Sequence, residues 1–324
     1  MQLASRWSLS VMMLALVSGG CSGEPATQGA EPTLAGENAR ADDAEHVIEV
    51  AAIARGDQHL FELSTATVPS GWTTFVFANR AHVDHFALLT KLPDSVDVED
   101  YRVLTQVAQN FLDGARGVPI SHPAAGLELP AWYADVQVMG GPGMTSAGHT
   151  SETTVELEPG EYVLECYIIT ADGRFHHVAG MVEGLTVTNA RSEAPEPQGT
   201  LELTLRNDGI QVDGSASPGM HTIAVHFAEQ QQYANLGRND LHLVRLEEDT
   251  DLKAVADWIN TTNPGAFVSP GSPAEFLGGT QEMPAGRTAY FTANLTPGRY
   301  AWISEVPDPA DKGMLRTFTV SAGR

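Results

Sequence analysis

The residues best suited to chemistry lie in the stretch Cys166-Tyr-Ile-Ile-Thr-Ala-Asp-Gly-Arg-Phe-His176-His177-Val-Ala-Gly-Met181. A thiolate, an imidazole and a thioether on one strand-loop-strand make a soft donor set. Such sets select copper, with the methionine as a weak axial ligand. His176 and His177 compete for one place in that set. The second imidazole must come from a distant strand, and Phe75-Val-Phe-Ala-Asn79-Arg-Ala-His82-Val-Asp-His85 offers His82 and His85. Each residue also has a plainer reading: Cys166 as a buried inert thiol, His85 as a strand-end hydrogen-bonding group, Met181 as gap-filling core. His82 reads as exposed rather than liganding.

These groups need a rigid frame, and the chain contains one twice. At a constant offset of 138, Gly140-Gly141 fall on Gly278-Gly279, Ala147-Gly148 on Ala285-Gly286, Pro159-Gly160 on Pro297-Gly298 and Tyr162 on Tyr300. Upstream, Leu104, Val107, Ala108 and Phe111 recur as Leu252, Val255, Ala256 and Ile259, shifted by 148. Both sets have the spacing of one helical face, with Asp94-Ser95 and Asp249-Thr250 as expected N-caps. Segments 73–77, 153–157, 161–168, 184–188, 201–205, 288–292 and 299–304 are β-branched, aromatic or alternating, with Pro-Gly turns between them, and read as strands. The expected fold is all-β, two Greek-key β-sandwiches at 46–188 and 200–324, each with one helical insertion, joined by the Pro-rich linker 189–199.

With these elements in place, the first repeat resembles the cupredoxins, the blue-copper family. In plastocyanin-like members an Asn at the end of an apolar strand precedes the first copper histidine by six residues, as Asn79 precedes His85 here. The family closes its site with Cys, His and Met after a Pro-Gly-x-Tyr strand, matched by Pro159-Gly160-Glu161-Tyr162, Cys166, His176 and Met181. Nine residues separate Cys166 from His176 and four separate His176 from Met181, longer than in azurin and close to the type-1 loop of copper nitrite reductases. The resemblance therefore implies one copper ion in the first repeat, held by His85, Cys166, His176 and Met181, with His177 the alternate to His176. In the second repeat Cys166 falls on Ser304, and no histidine lies between Ser304 and Met314. That copy reads as a degenerate, cupredoxin-like domain in which His242 and Met314 are structural remnants.

A closed His2Cys(Met) centre implies outer-sphere electron transfer rather than catalysis. Nitrite reductases and multicopper oxidases hold a further copper with additional histidines, one beside the type-1 Cys. Here that neighbour is Glu165, and no His-x-His pair occurs, so an enzyme is not expected. The other class to weigh is a metal-free cupredoxin-fold interaction or ligand-binding module on the cell surface.

Eighteen Lys+Arg against 41 Asp+Glu give a formal charge of −23, which disfavours nucleic acid and anionic lipid and suits a basic redox partner. Residues 1–20 run from Arg6 through an apolar stretch to Ser18-Gly19-Gly20 before Cys21, an export signal too short to span a bilayer. The ending resembles the bacterial lipobox, with Ser18 where Leu is usual, which makes Cys21 the lipidated residue and 21–45 a flexible tether. The expected location is the bacterial cell envelope, with the membrane engaged only through the lipid anchor.

Overall fold

The computed structural model describes residues 46–233, 237–263 and 265–323. The signal segment, the tether and Cys21 lie outside the described residues. The first half contains β1 (Val47–Arg55), β2 (Gln58–Leu63), β3 (Thr67–Asn79), β4 (Leu88–Lys91), α1 (Val98–Arg116), β5 (Gln137–Val138), β6 (Thr150–Leu157), β7 (Gly160–Glu165), β8 (Ile169–Thr170) and β9 (Val182–Arg191). The second contains β10 (Leu201–Arg206), β11 (Gly209–Asp213), β12 (Gly219–Phe227), β13 (Leu241–Leu246), α2 (Leu252–Ile259), β14 (Val268–Ser269), β15 (Glu275–Thr280), β16 (Thr288–Leu295), β17 (Gly298–Ile303) and β18 (Leu315–Val320). The all-β sandwich class expected from the sequence is the one observed, and each half carries one α-helix among its described residues.

The repeat is visible in the register. β6 and β16, and β7 and β17, begin and end at positions exactly one repeat apart. Both copies close the turn before β7 or β17 with the same tyrosine bond: Tyr162 Oη donates to the Glu158 carbonyl at 2.8 Å and Tyr300 Oη to the Thr296 carbonyl at 2.9 Å. The Gly-Gly pairs have a matching cause. Gly141 (φ +109°) and Gly279 (φ +141°) adopt backbone that side chains avoid, and a Cβ would overlap the carbonyl oxygens of Ala87 and Leu241 respectively.

One sheet runs β11-β10-β12-β16-β6-β3-β9-β7-β4-β5, with β1 pairing β3 in parallel and β2 pairing β1. It passes from one half to the other where β16 pairs β6, Tyr290 opposite Thr154. A second sheet, β15-β13-β17-β18, belongs to the second half, and β8 pairs β14 in parallel across the halves. Strand alternation places Phe75, Phe77, Val155 and Leu157 in a core that continues through Cys166 and Met181 into Leu203, Val225, Phe291 and Trp302.

The helices sit slightly later than their expected starts. α1 is capped by Asp97 in a capping box with Asp100, and α2 by Asp251, instead of at Asp94-Ser95 and Asp249-Thr250. Asp97 wins because its carboxylate reaches the Asp100 amide while the Asp100 carboxylate returns to the Asp97 amide. Tyr101 and Leu104 of α1 pack on Val163 and Val182, a burial worth about 2 kcal/mol for Leu104. Phe111, expected on the same face, is half exposed.

Candidate metal centre

β3 ends at Asn79, whose fully buried amide fixes the loop that follows. Nδ2 donates to the carbonyls of Val83 and Thr145, both at 2.8 Å, and Oδ1 accepts from the Ala81 amide at 3.1 Å. His85 is then pinned by a two-way bridge with Thr145, its N–H donating at 3.1 Å and its carbonyl accepting at 2.8 Å. The other donors leave β7 as a closed loop. The His176 amide donates to the Ile168 carbonyl (2.7 Å), the Met181 amide to the His176 carbonyl (2.9 Å), and the Cys166 amide to the Met181 carbonyl (3.3 Å).

These two segments bring three side-chain atoms together. His85 Nδ1 lies 3.1 Å from His176 Nδ1, and Cys166 Sγ lies 3.7 Å and 3.8 Å from them. All three residues are fully buried. With metal–nitrogen and metal–sulfur lengths of about 2.0 and 2.3 Å, a trigonal plane needs donor separations of about 3.5 and 3.7 Å. The two sulfur edges found here are that size, and the nitrogen edge is shorter, at 3.1 Å. Met181 is also fully buried, and its backbone is bonded to both Cys166 and His176.

The hydrogen bonds specify which ring nitrogen is free. Ser269 Oγ donates its single proton to the Ile169 carbonyl at 3.1 Å, so toward His176 Nε2, at 3.3 Å, it accepts. His176 therefore carries its proton on Nε2 and turns a lone pair on Nδ1 toward Cys166. Burial lowers the pKa of both His85 and His176, His59 adding to the effect on the first and the other ring on the second, so both stay neutral. Burial pushes the Cys166 thiol up to about 12, opposed by backbone hydrogen bonds from Phe86 and Ile168. A thiolate at this place needs a cation beside it, and three converging soft donors suit one.

The two histidines lie side by side in a turn, and their side chains diverge. His177 faces away from Cys166, its Nδ1 2.8 Å from Glu165 Oε2, while Tyr101 Oη donates to Glu165 Oε1 at 2.5 Å. His82 is exposed. A residue that sequence reasoning missed completes the neighbourhood: His59 of β2 stacks on His176 with ring centres 3.9 Å apart and 11° between planes. One of its ring nitrogens lies within 4.8 Å of those of His85 and His176. His59 sits on a short hairpin with no spacing relation to the other donors, so no pattern points to it.

In the second half the equivalent place holds a different device. Ser304 Oγ donates to Asp240 Oδ1 at 2.6 Å, and its amide donates to the Met314 carbonyl at 3.0 Å, as Cys166 does to Met181. His242 Nε2 lies 3.1 Å from Asp240 Oδ2 and 2.9 Å from Glu305 Oε1, all fully buried or nearly so. The two carboxylates favour a protonated ring, pulling its pKa to about 10 against burial. The Met144 amide, however, donates to Nδ1 at 3.0 Å, so the ring's proton sits on Nε2 between the carboxylates. An Nε2 occupied in this way has no lone pair for a metal. His242 is structural, held in a proton network.

No family model and no curated protein matches the sequence. Among solved structures, the reduced auracyanin of Roseiflexus castenholzii is 20% identical, with 44% of this chain and 97% of that one covered and a TM-score of 0.25. Auracyanin A of Chloroflexus aurantiacus, titled a blue copper protein, is 21% identical over 44% of this chain and 98% of its own, with a TM-score of 0.27. The copper-containing nitrite reductase of Thermus scotoductus is 12% identical over 85% of this chain and 61% of its own, with a TM-score of 0.21. At such TM-scores these likenesses carry no weight for the site, whose assignment rests on its own geometry.

Proposed function

We propose that His85, Cys166, His176 and Met181 hold one copper ion, and that the protein is an exported, lipid-anchored electron carrier of the bacterial cell envelope. The observation that carries this reading is the buried triangle of Cys166 Sγ and two Nδ1 atoms, 3.1 to 3.8 Å on a side, with the far edge of His176 anchored on Ser269. Copper bound there supplies a one-electron couple. The chain's own contribution is rigidity. Asn79 holds the His85 loop, the Met181 backbone ties the two ends of the other loop, and complete burial keeps water from the sulfur.

A non-enzymatic role is supported by what surrounds the triangle. Glu165, beside Cys166, already takes hydrogen bonds from Tyr101 and His177, and the sequence has no His-x-His pair. The charge of −23 favours a basic redox protein as partner, an attraction that weakens as salt is added.

The test is metal analysis and a visible spectrum of the mature chain made in copper-replete cells. One copper per chain and an intense thiolate-to-copper band are expected. Cys166→Ser should remove the band and leave the fold, since Ser304 occupies the same place in the second half. His176→Gln should bleach it and His177→Gln should not. A chain that stays colourless with added Cu(II) refutes the reading and leaves the metal-free module.

A further inference from the structure

Glu165 and His177 are the immediate neighbours of Cys166 and His176, and both turn the opposite way, into a cavity of about 360 Å³ between the halves. That volume is in the range of small-molecule sites. Its walls are mostly apolar, from Leu88, Leu112, Val138, Phe175 and Phe267. An outer pocket of about 660 Å³ shares Tyr101, Leu112, Tyr133 and His177 with it and includes Phe111 and Leu129, 48% and 38% exposed. The inner cavity therefore has a way out along α1.

The polar groups at the inner end offer acceptors. Tyr101 Oη donates to one oxygen of Glu165, and His177 Nδ1, 2.8 Å from the other, directs its N–H at it. His177 Nε2 then carries a lone pair. It is buried without a partner among the described residues, on a side chain only 5% exposed. A buried acceptor left unpaired costs about 1–3 kcal/mol. Glu282 and Glu305 line the same cavity, both almost fully buried. Glu282 has the Arg238 amide on one oxygen (2.7 Å), and Glu305 accepts from Tyr167 Oη (2.6 Å). Burial and the nearby charges of Asp240 and Glu305 push the Glu282 carboxyl well above its ordinary range, opposed by Arg238, which lines the same cavity.

We propose that this cavity binds a small primary amine with an apolar body, its ammonium directed at His177 Nε2 in the field of Glu282 and Glu305. An ammonium brings the donor that Nε2 lacks, beside a wall on which Glu165, Glu282 and Glu305 outnumber Arg238, while the hydrocarbon body covers the apolar part. The site does not depend on copper.

Calorimetric titration of the metal-free mature chain with phenethylamine, 2-phenylethanol and phenylacetate tests this. The amine should bind 1:1, about tenfold or more tighter than the alcohol, as expected for one charge-assisted hydrogen bond, and the carboxylate should not bind. His177→Phe should weaken the amine about tenfold, and Glu282→Gln should shrink the gap between amine and alcohol. Ala108→Phe, which fills the cavity from α1, should abolish binding, with circular dichroism confirming the fold. Equal binding of amine and alcohol, no binding of any probe, or amine affinity unchanged in both His177→Phe and Ala108→Phe overturns the proposal. So does a Zn²⁺ titration that saturates at His177 in a chain indifferent to amines. Because the titration uses metal-free protein, a failed copper assay leaves its outcome intact.

Discussion

Asn79→Ala is the most direct probe of how the fold holds the His85 loop. The substitution removes two N–H donations and one acceptor from a fully buried position, taking one partner each from the carbonyls of Val83 and Thr145 and the amide of Ala81, with Thr145 keeping the His85 amide. Each bond contributes about 1 kcal/mol net, and a buried group left unpaired costs at least that, so a loss of about 3 kcal/mol is expected. That is about two decades in the folded-to-unfolded ratio. Urea unfolding of the metal-free mature chain, followed by circular dichroism, should show a lower midpoint with an unchanged slope. Asn79→Asp should also destabilise, because it keeps the acceptor for Ala81 but turns oxygen toward two carbonyls. The same variants should lose copper affinity, since Thr145 braces both Asn79 and His85. A loss of less than about 1 kcal/mol in Asn79→Ala would refute the reasoning, because it would mean the three bonds are replaced by water at no cost.

Other perturbations separate the remaining arguments. Ser269→Ala removes the partner of His176 Nε2 and should lower copper affinity about tenfold in a chelator competition, with Ser269→Thr restoring it; unchanged affinity would count against the tautomer assigned to His176. Glu282→Gln should change the pH dependence of stability. A carboxyl raised in the folded state binds its proton more tightly there than when unfolded, so it costs stability as pH rises above about 4.3, and the variant should gain on the wild type from pH 4 upward. Parallel curves for the two proteins would contradict that. Gly141→Ala forces a Cβ into the Ala87 carbonyl and should destabilise by more than Gly148→Ala, where φ is also positive (+80°) but the space is open. Equal melting temperatures would mean that backbone strain alone, rather than the close approach, explains the Gly-Gly repeat.

The frame of this molecule was legible because its signals are periodic. The offset that aligns Tyr162 with Tyr300 also aligns β6 with β16 and β7 with β17, since a strand and its turn are set by local alternation and by Pro-Gly. The helix starts were less legible, because Asp94, Ser95, Asp97 and Asp100 all have capping chemistry and only the reciprocal bond of the last two decides between them. Phe111 matched a helical face that the structure leaves half exposed beside the outer pocket, a consequence of which neighbours α1 meets rather than of its own spacing. At the centre, loop lengths favoured His176 over His177, and side-chain direction is what separates them: Cys166 and His176 face the triangle, Glu165 and His177 the cavity. His59 could not be found from the sequence, because ring stacking across β2 leaves no trace in spacing.

The two halves show alternative ways to bury polar groups at one place in the fold. In the first, the Nδ1 atoms of His85 and His176 and a thiol of raised pKa face one another, an arrangement that a cation suits. In the second, Ser304 replaces the thiol, and Asp240 and Glu305 replace the missing donors, so that one Nε2 proton does the bridging. Neither cluster is satisfied within its own half. His176 leans on Ser269, while His242 and Glu305 take their remaining hydrogen bonds from Met144 and Tyr167. The second half is thus part of the first cluster's support: Ser269 lies against one of its imidazoles, and the Tyr167 beside Cys166 is anchored on Glu305. The second repeat does without the thiol because its buried groups pair another way, and that network in turn helps keep the first repeat's cluster in position.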